Sequence, residues 1–98
     1  MPKKQQNLGS HNKNFPVVKS TRTQMLKIIA NTQGRFMTTT HVGKDGELHT
    51  INGIRYKKQT DPMGYIQVYS MTAKEIRLVN PQTLKELSFE GLHHIAKK

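Results

Sequence analysis

The chain contains no cysteine among its 98 residues. This absence excludes disulfide bonds, thiolate catalysis and cysteine-based zinc sites, and it fits a reducing cytoplasm. Tryptophan is also absent, and three tyrosines and three phenylalanines do not suffice for the aromatic groove that binds proline-rich peptides. No apolar run approaches the about 18 residues of a transmembrane helix, and residues 1–14 lack the apolar centre of a secretory signal. We therefore expect a soluble intracellular protein with no membrane partner.

The first 44 residues contain no acidic side chain, because all six aspartates and glutamates lie from Asp45 onward. Over the whole chain, 16 lysines and arginines oppose these six acids and give a formal net charge of +10. Such a surplus favours polyanionic partners and fast, salt-sensitive association. Nucleic acid is therefore the first class of partner that the composition predicts.

Residues 1–18 carry few apolar side chains, so burial cannot offset the entropy of ordering them. We predict a flexible basic arm over residues 1–18 and one domain over residues 19–98. Within that domain, residues 20–33 place apolar side chains at helical spacing, with Ser20 or Thr21 as the cap and Gly34 at the end. This pattern predicts a short helix of about three turns.

Two β-favouring runs flank the turn sequence Gly43-Lys44-Asp45-Gly46, in which Asp-Gly supplies the positive φ of a tight hairpin. The predicted strands cover residues 35–42, 47–58, 65–71 and 75–79, and a fifth begins near Leu84. Gly53 marks a bend in the second strand, and a helical turn at residues 80–83 precedes the fifth. The pattern predicts a mainly β fold, a small five-stranded SH3-like barrel at about residues 35–95, preceded by the short α-helix and the basic arm.

Alternation along the later strands predicts which side chains point into the barrel. The inward pairs are Ile66 and Val68, Ile76 and Leu78, and Leu87 and Phe89. The first strand leaves two inward sets open, namely Phe36/Thr38/Thr40/Val42 and Met37/Thr39/His41. The face that the barrel exposes for binding is therefore open as well.

Several short motifs in the predicted barrel match one family. They are Gly34-Arg35-Phe36, the threonine-rich first strand, Lys44-Asp45-Gly46, Thr50-Ile51-Asn52-Gly53, residues 65–70, and Arg77 followed by Asn80 and Thr83. Over roughly two-thirds of the chain, from Gly34 onward, the sequence resembles small bacteriophage proteins described as SH3 β-barrel fold-containing. The resemblance implies a barrel fold, a viral origin and the host bacterial cytoplasm as location, and it carries no catalytic residues.

The basic residues of the arm, the helix and the end of the second strand form the predicted binding surface. The residues predicted to contact phosphates are Lys3, Lys4, Lys13, Lys19, Arg22, Lys27, Arg55, Lys57 and Lys58. Tyr65 and Tyr69, on one outward face of the third strand, and Tyr56 are candidates to stack on bases. Because no recognition helix or RNA-binding signature is present, binding should be largely independent of sequence. DNA and RNA, single- or double-stranded, are all open as partners.

The five histidines raise the question of a metal site. Adjacent His93 and His94 would point to opposite faces of a regular strand, and His41 and His49, across the hairpin, supply only two ligands. We predict no metal site and no cofactor. We also find no paired carboxylates, no nucleophile beside a base and no phosphate-binding glycine loop, so the protein is not expected to be an enzyme.

The leading hypothesis is a non-enzymatic phage accessory protein that binds DNA or RNA through the arm, the helix and one barrel face. The alternative is a host-takeover or anti-defence protein that binds an acidic surface of a host bacterial protein and inhibits it. In that case basic residues steer the association and apolar anchors supply affinity. The candidate anchors are Met37, Met63, Tyr65 and Tyr69. A virion or ribonucleoprotein component is a third possibility, and the oligomeric state is open.

Overall fold

The computed structural model describes residues 11–57 and 59–97. In chain order these residues form β1 (Val17–Ser20), α1 (Arg22–Ala30), β2 (Met37–Val42), β3 (Leu48–Arg55), β4 (Ile66–Ser70), β5 (Glu75–Val79), a 3-10 helix (Pro81–Thr83), β6 (Leu84–Phe89) and β7 (Leu92–Ala96). The prediction of a mainly β fold with one α-helix is confirmed. The five predicted strands correspond to β2 to β6, and the helical turn lies directly before β6 as predicted.

Helix α1 begins at a capping box formed by Thr21 and Gln24. Of the two predicted capping residues, Thr21 is therefore the one that caps the helix. The Gln24 N–H donates to Thr21 Oγ1 at 3.1 Å, and the Thr21 N–H donates to the Gln24 side-chain oxygen at 2.8 Å. The helix ends earlier than predicted, because the Asn31 side chain donates to the Lys27 carbonyl and closes the last turn. Met25 and Ile29 are fully buried, so this short helix covers one face of the sheet.

The strands form one sheet in the order β1-β7-β6-β2-β3-β4-β5, in which only the β1–β7 pair is parallel. Strands β1 and β5 are the two edges, and no pairing joins them among the described residues. A closed five-stranded barrel is therefore not confirmed. Strand β7 follows β6 through a tight turn in which both Glu90 and Gly91 have positive φ, as hairpin turns of this length require.

The predicted arm lies partly outside the described residues, which begin at His11. Within the described part, Val17 and Val18 belong to β1 and pair with His93 and His94 of β7. The His93 N–H also donates to the Pro16 carbonyl at 2.9 Å. Residues 17 and 18, which were predicted to belong to a flexible arm, therefore form part of a strand. The strand that they pair with lies near the other end of the chain, so the local sequence does not reveal the pairing.

Strand β2 is buried on both faces, so residues of both inward sets that the sequence left open are covered, except Phe36, which is 51% exposed. On one side, Met37 and Thr39 share a face with Ile51 and Leu87, and α1 packs against that face. The opposite side, here called the polar face, carries Thr38, Thr40, Thr50, Asn52, Glu86, Ser88 and His93. Hydrogen bonds across strands satisfy these groups, such as Thr38 Oγ1 to Asn52 Oδ1 at 2.6 Å. The polar face is therefore built as a network of short polar side chains.

Burial confirms the predicted inward residues of β4 and β6 but corrects those of β5. Ile66 and Val68 are 4% and 0% exposed, whereas Leu78 is 42% exposed and Val79 takes the inward position. Val79 lies opposite Ile66, and Leu78 lies opposite Gln67, so the register reverses the predicted phase. At Gly53 a Cβ atom would lie 1.9 Å from the Tyr69 carbonyl oxygen, so glycine permits the close approach of β3 and β4.

Candidate nucleic-acid interface

One concave surface joins the end of β3 to the segment that follows α1, and we call it the Tyr56 groove. It has a volume of about 200 Å³ and is lined by Ala30, Asn31, Thr32, Gln33, Gly34, Arg55, Tyr56 and Lys57. The positive φ values of Gln33 and Gly34 turn the chain out of the helix and towards β2. No acidic residue is among the described residues that line the groove.

Tyr56 is the exposed aromatic ring of the groove, with 51% of its surface accessible. The Lys57 ammonium nitrogen lies 5.5 Å from the centre of that ring. This distance falls within the range of a cation–π contact. The groove therefore presents an aromatic face and a cation side by side.

Arg55 lies deeper in the groove and connects β3 to the helix. Its Nη1 donates to the Ile29 carbonyl at 3.4 Å, near the carboxyl end of α1. Burial lowers the pKa of the Arg55 guanidinium, which still carries its charge at neutral pH. Arg55 thus stabilises the helix end and adds positive potential at the base of the groove.

A second concave surface, here called the hairpin cleft, lies between the β2–β3 hairpin and the β4–β5 hairpin. It has a volume of about 520 Å³. Lys44 and Tyr65 face each other in it, with the ammonium nitrogen 6.0 Å from the ring centre. Arg77 also lines the cleft, but its Nη2 pairs with Glu75 at 3.0 Å. One of the two basic residues of the cleft is therefore paired with a carboxylate.

Two residues of the hairpin cleft, His41 and His49, form a cluster with Asp45 of the hairpin turn, here called the hairpin cluster. The two imidazole rings stack with centres 5.7 Å apart, and His49 Nε2 lies 3.0 Å from Asp45 Oδ1. Burial is the main reason that the pKa of His41 is lowered, and neighbouring His49 lowers it further. The Glu47 N–H, which donates to Asp45, is the main reason that the pKa of that carboxyl is lowered.

A separate cluster lies on the polar face and consists of His11, Glu86 and His93, here called the long-range cluster. The His11 and His93 rings are nearly parallel, with centres 4.6 Å apart, and His93 Nε2 lies 2.6 Å from Glu86 Oε1. Burial lowers the pKa of His11 to about 4, although Glu86 opposes the shift. These are the described residues whose nitrogen and carboxylate atoms gather closely enough to hold a metal ion.

The predicted phosphate-binding residues do not form a single surface. Lys13, Lys19, Arg22 and Lys27 are exposed on the segment before β1, on β1 and on α1. Arg55 and Lys57 meet in the Tyr56 groove, whereas Lys3, Lys4 and Lys58 lie outside the described residues. Half-buried Tyr65 belongs to the hairpin cleft, and half-buried Tyr69 faces Ile54 and Ile76 across its neighbouring strands.

Some cleft residues escaped the sequence analysis. Lys44 was identified as part of a turn and of a family motif but not as a binding residue, although its position at the tip of a hairpin marks it as exposed. Arg77 gave no such signal, because its place in the cleft depends on the pairing of β5 with β4. Among the proposed apolar anchors, Met37 is only 1% exposed and is excluded, while Met63 is 74% exposed.

Ion pairs in the described part of the chain leave its lysines unpaired. The four pairs are Arg35–Glu90, His49–Asp45, Arg77–Glu75 and His93–Glu86. No lysine of residues 11–57 and 59–97 takes part in them. The lysine charges are therefore available to an external polyanion.

Comparisons of the chain with models of known protein families, with curated proteins and with solved structures give no match. They supply neither a family nor an activity, and the relation to phage barrel proteins stays a prediction. No helix within the described residues is long and apolar enough to cross a membrane.

Proposed function

We propose that the protein binds nucleic acid through the Tyr56 groove and the lysines around it, without enzymatic activity and largely without regard to base sequence. The observation that carries this proposal is the exposed Tyr56 ring beside the Lys57 ammonium, in a groove without an acidic lining residue. Any base offers a π-face to such a ring, and the adjacent cation is placed to meet a phosphate.

The wider charge distribution supports the same function. Lysines on the segment before β1, on β1 and on α1 are exposed and have no acidic partner within the described residues. Each lysine that neutralises a phosphate releases condensed counterions, so affinity should fall steeply with salt. These contacts carry no base information, which accounts for the expected lack of sequence preference.

Stacking on Tyr56 favours single-stranded over duplex nucleic acid. In a duplex the base faces are covered by their neighbours, and extruding a base costs several kcal/mol. A groove of about 200 Å³ accommodates a base-sized group rather than a double helix. We therefore infer that single-stranded DNA or RNA is the preferred ligand.

The viral setting belongs to this proposal. On the resemblance of the barrel region to phage proteins, the protein would act in the cytoplasm of an infected bacterium. An SH3-like arrangement of β2 to β6 is retained as part of the proposal. It is supported by five strands and one 3-10 helix at the positions that the pattern predicts.

Anisotropy of labelled single-stranded DNA, single-stranded RNA and duplex DNA, titrated with the full-length protein across a salt series, tests this function. Tyr56→Leu removes the ring and should weaken single-strand binding by about 1–3 kcal/mol, whereas Tyr56→Phe should retain it. Lys57→Gln should reduce the salt slope by about one phosphate contact. Lys85→Gln, at an exposed position of β6, makes the same charge change away from the groove and should matter less.

Absent or salt-insensitive binding would contradict the proposal, as would equal losses in Lys57→Gln and Lys85→Gln. A second function then gains weight, namely docking on an acidic surface of a host bacterial protein and inhibiting it. Met63, which is 74% exposed in the loop between β3 and β4, favours that function. An exposed side chain of this size is a suitable apolar anchor at the centre of a protein interface.

A further inference from the structure

We propose that the long-range cluster of His11, Glu86 and His93 is a binding site for a divalent transition-metal ion, with Zn²⁺ as the best match. The site lies on the polar face and does not rest on the proposed nucleic-acid function. Its three donors are two imidazole nitrogens and one carboxylate oxygen, all within 4.8 Å of one another. This is a ligand set that zinc accepts in proteins, usually with a water or substrate in the fourth position.

The backbone holds the three ligands in place from three separate segments. Glu86 and His93 lie on the paired strands β6 and β7, where His93 is opposite Ser88 on the same face as Glu86. His11 comes from the segment before β1, which is tied to β7 by the bond from the His93 N–H to the Pro16 carbonyl. The ligands are therefore presented by a hydrogen-bonded sheet and by a segment fastened to it.

The donor atoms are close enough to share one ion, but the imidazole rings have to turn to bind it, because the in-plane lone pairs of the nearly parallel His11 and His93 rings do not converge. Donors around a tetrahedral Zn²⁺ at about 2.0–2.2 Å lie roughly 3.3 Å apart. The present separations bracket this value, from 2.6 Å between His93 Nε2 and Glu86 Oε1 to the 4.8 Å limit of the group. Rotation of the side chains brings all three to the ion, which would take the place of the proton between His93 and Glu86.

Two hydroxyl groups already occupy positions typical of groups that support a metal ligand. Ser88 Oγ lies 2.5 Å from His11 Nδ1, and Thr40 Oγ1 lies 2.8 Å from His11 Nε2. One of the two His11 ring nitrogens would leave its hydroxyl partner and bind the ion. The other ring nitrogen would keep its hydrogen bond to the second hydroxyl. Such a bond fixes the orientation of a ligating imidazole and raises its affinity for the metal.

Metal binding here would join parts of the chain that are far apart in sequence. His11 lies near one end of the chain, and Glu86 and His93 lie near the other. The three ligands meet only in the folded protein, so the ion should bind the native state selectively and stabilise it. This predicts that the ion fastens the segment before β1 to the β6–β7 hairpin.

The test uses untagged full-length protein, freed of metal by a chelator and titrated with Zn²⁺ by calorimetry. We expect one ion per chain, and a melting temperature that rises by about 10 °C or more at free Zn²⁺ 100-fold above Kd. His11→Ala, Glu86→Gln and His93→Ala should each weaken binding at least 10-fold. His49→Ala removes an exposed imidazole from the hairpin cluster and should leave affinity unchanged.

The Co²⁺ spectrum of the wild-type protein provides a readout that does not depend on the stability of the variants. Wild-type protein should give the intense visible absorption of cobalt in a four- or five-coordinate site, and His93→Ala should lose it. A wild-type spectrum identical to that of aqueous Co²⁺ would overturn the proposal. Undiminished Zn²⁺ affinity in both His11→Ala and His93→Ala would overturn it too, as would an equal loss in His49→Ala. Nucleic-acid binding by the chelated protein is measured separately, so the two proposals fail independently.

Discussion

The hairpin cluster and the long-range cluster contain the same kinds of groups, two stacked imidazoles and one carboxylate, but the chain builds them differently. In the hairpin cluster, His41, Asp45 and His49 are neighbours across one turn, and the His49 and Asp45 side chains are 46% and 56% exposed. In the long-range cluster, the His93 and Glu86 side chains are 14% and 32% exposed. In the first cluster two side chains are exposed near the hairpin tip and His41 is buried, whereas all three residues of the second are half-buried on the sheet.

This difference changes what each carboxylate can do. Asp45 is occupied by its own turn, because it accepts a hydrogen bond from the Glu47 N–H at 2.9 Å. Glu86 sits on the middle of β6 and bonds only to His93 in the cluster. The same kinds of side chain therefore have different roles in the two clusters. In the hairpin cluster the carboxylate stabilises a turn, and in the long-range cluster it is one of three neighbouring donors. Three substitutions or conditions test this contrast, beginning with the largest expected effect.

Thr40→Val should destabilise the protein, because Thr40 Oγ1 links the long-range cluster to β3. It lies 2.8 Å from His11 Nε2 and 2.9 Å from Thr50 Oγ1. Valine keeps the shape but leaves half-buried polar atoms without a partner, at a cost of about 1–3 kcal/mol. For a domain of this size, that cost lowers the melting temperature by about 4–8 °C per kcal/mol.

Thr50→Val is the matched control for this prediction, since it breaks only the bond between the two hydroxyls and its site is exposed. Thermal unfolding should be followed in chelator, so that no ion contributes to stability. A Thr50→Val variant that melts as low as Thr40→Val would show that the contact with His11 adds nothing.

The hairpin cluster should instead appear in the pH dependence of stability. Burial lowers the pKa of His41 below its ordinary 6.5. Below pH 6.5, His41 therefore becomes protonated in the unfolded chain but stays neutral in the folded protein. This difference favours unfolding, so the free energy of unfolding falls as the pH falls. The stability that neutral His41 contributes is fully present above pH 6.5. Below that pH the free energy of unfolding falls by less than about 1.4 kcal/mol per pH unit, the value for the uptake of one full proton.

Denaturant unfolding of wild type and His41→Gln at several pH values measures this effect as a difference. His11 and His94 also have pKa values lowered mainly by burial, so they add a slope of the same sign to both proteins. His49 and Asp45, the groups that act on His41, are retained in both as well. If the free energy of unfolding changes with pH in the same way for both proteins between pH 5 and 7, then His41 does not contribute to the pH dependence of stability.

The hairpin cluster was within reach of sequence reasoning, and the long-range cluster was not. A turn sequence between two β-favouring runs places His41 opposite His49, which the register confirms. Hydrophobic pattern and turn chemistry identify local elements in the same way, so β2 to β6, a cap at Ser20 or Thr21 and the 3-10 helix were predicted. His11 was assigned to an arm, and its contact with Glu86 and His93 arises only from long-range pairing.

The same reasoning explains which parts of the fold were missed. Strand β1 has four residues and acquires its hydrogen bonds from β7, so nothing in its own sequence demands a strand. The phase of β5 was wrong because the more apolar alternation, Ile76 and Leu78, is not the one that faces the core. Only the pairing of Val79 with Ile66 decides between the two alternations. Likewise, alternation could not give one inward face for β2, because the structure covers that strand on both sides.

Gly43→Ala should have the smallest effect on stability, because two contributions oppose each other. A Cβ atom would lie 2.6 Å from two atoms of the His49 ring, but that ring is exposed at the hairpin tip and can turn away. Gly43 has no positive φ, so alanine adds no backbone strain and gains about 0.4–1 kcal/mol by restricting the unfolded chain. The melting temperature should therefore change little, while the imidazole proton resonances of His41 and His49 shift as their stack opens.

Because the long-range cluster shares no residue with this hairpin, Zn²⁺ affinity should not change. A fall in that affinity would show that the two clusters are coupled through β2, the strand that contributes His41 to one and lies beneath the other.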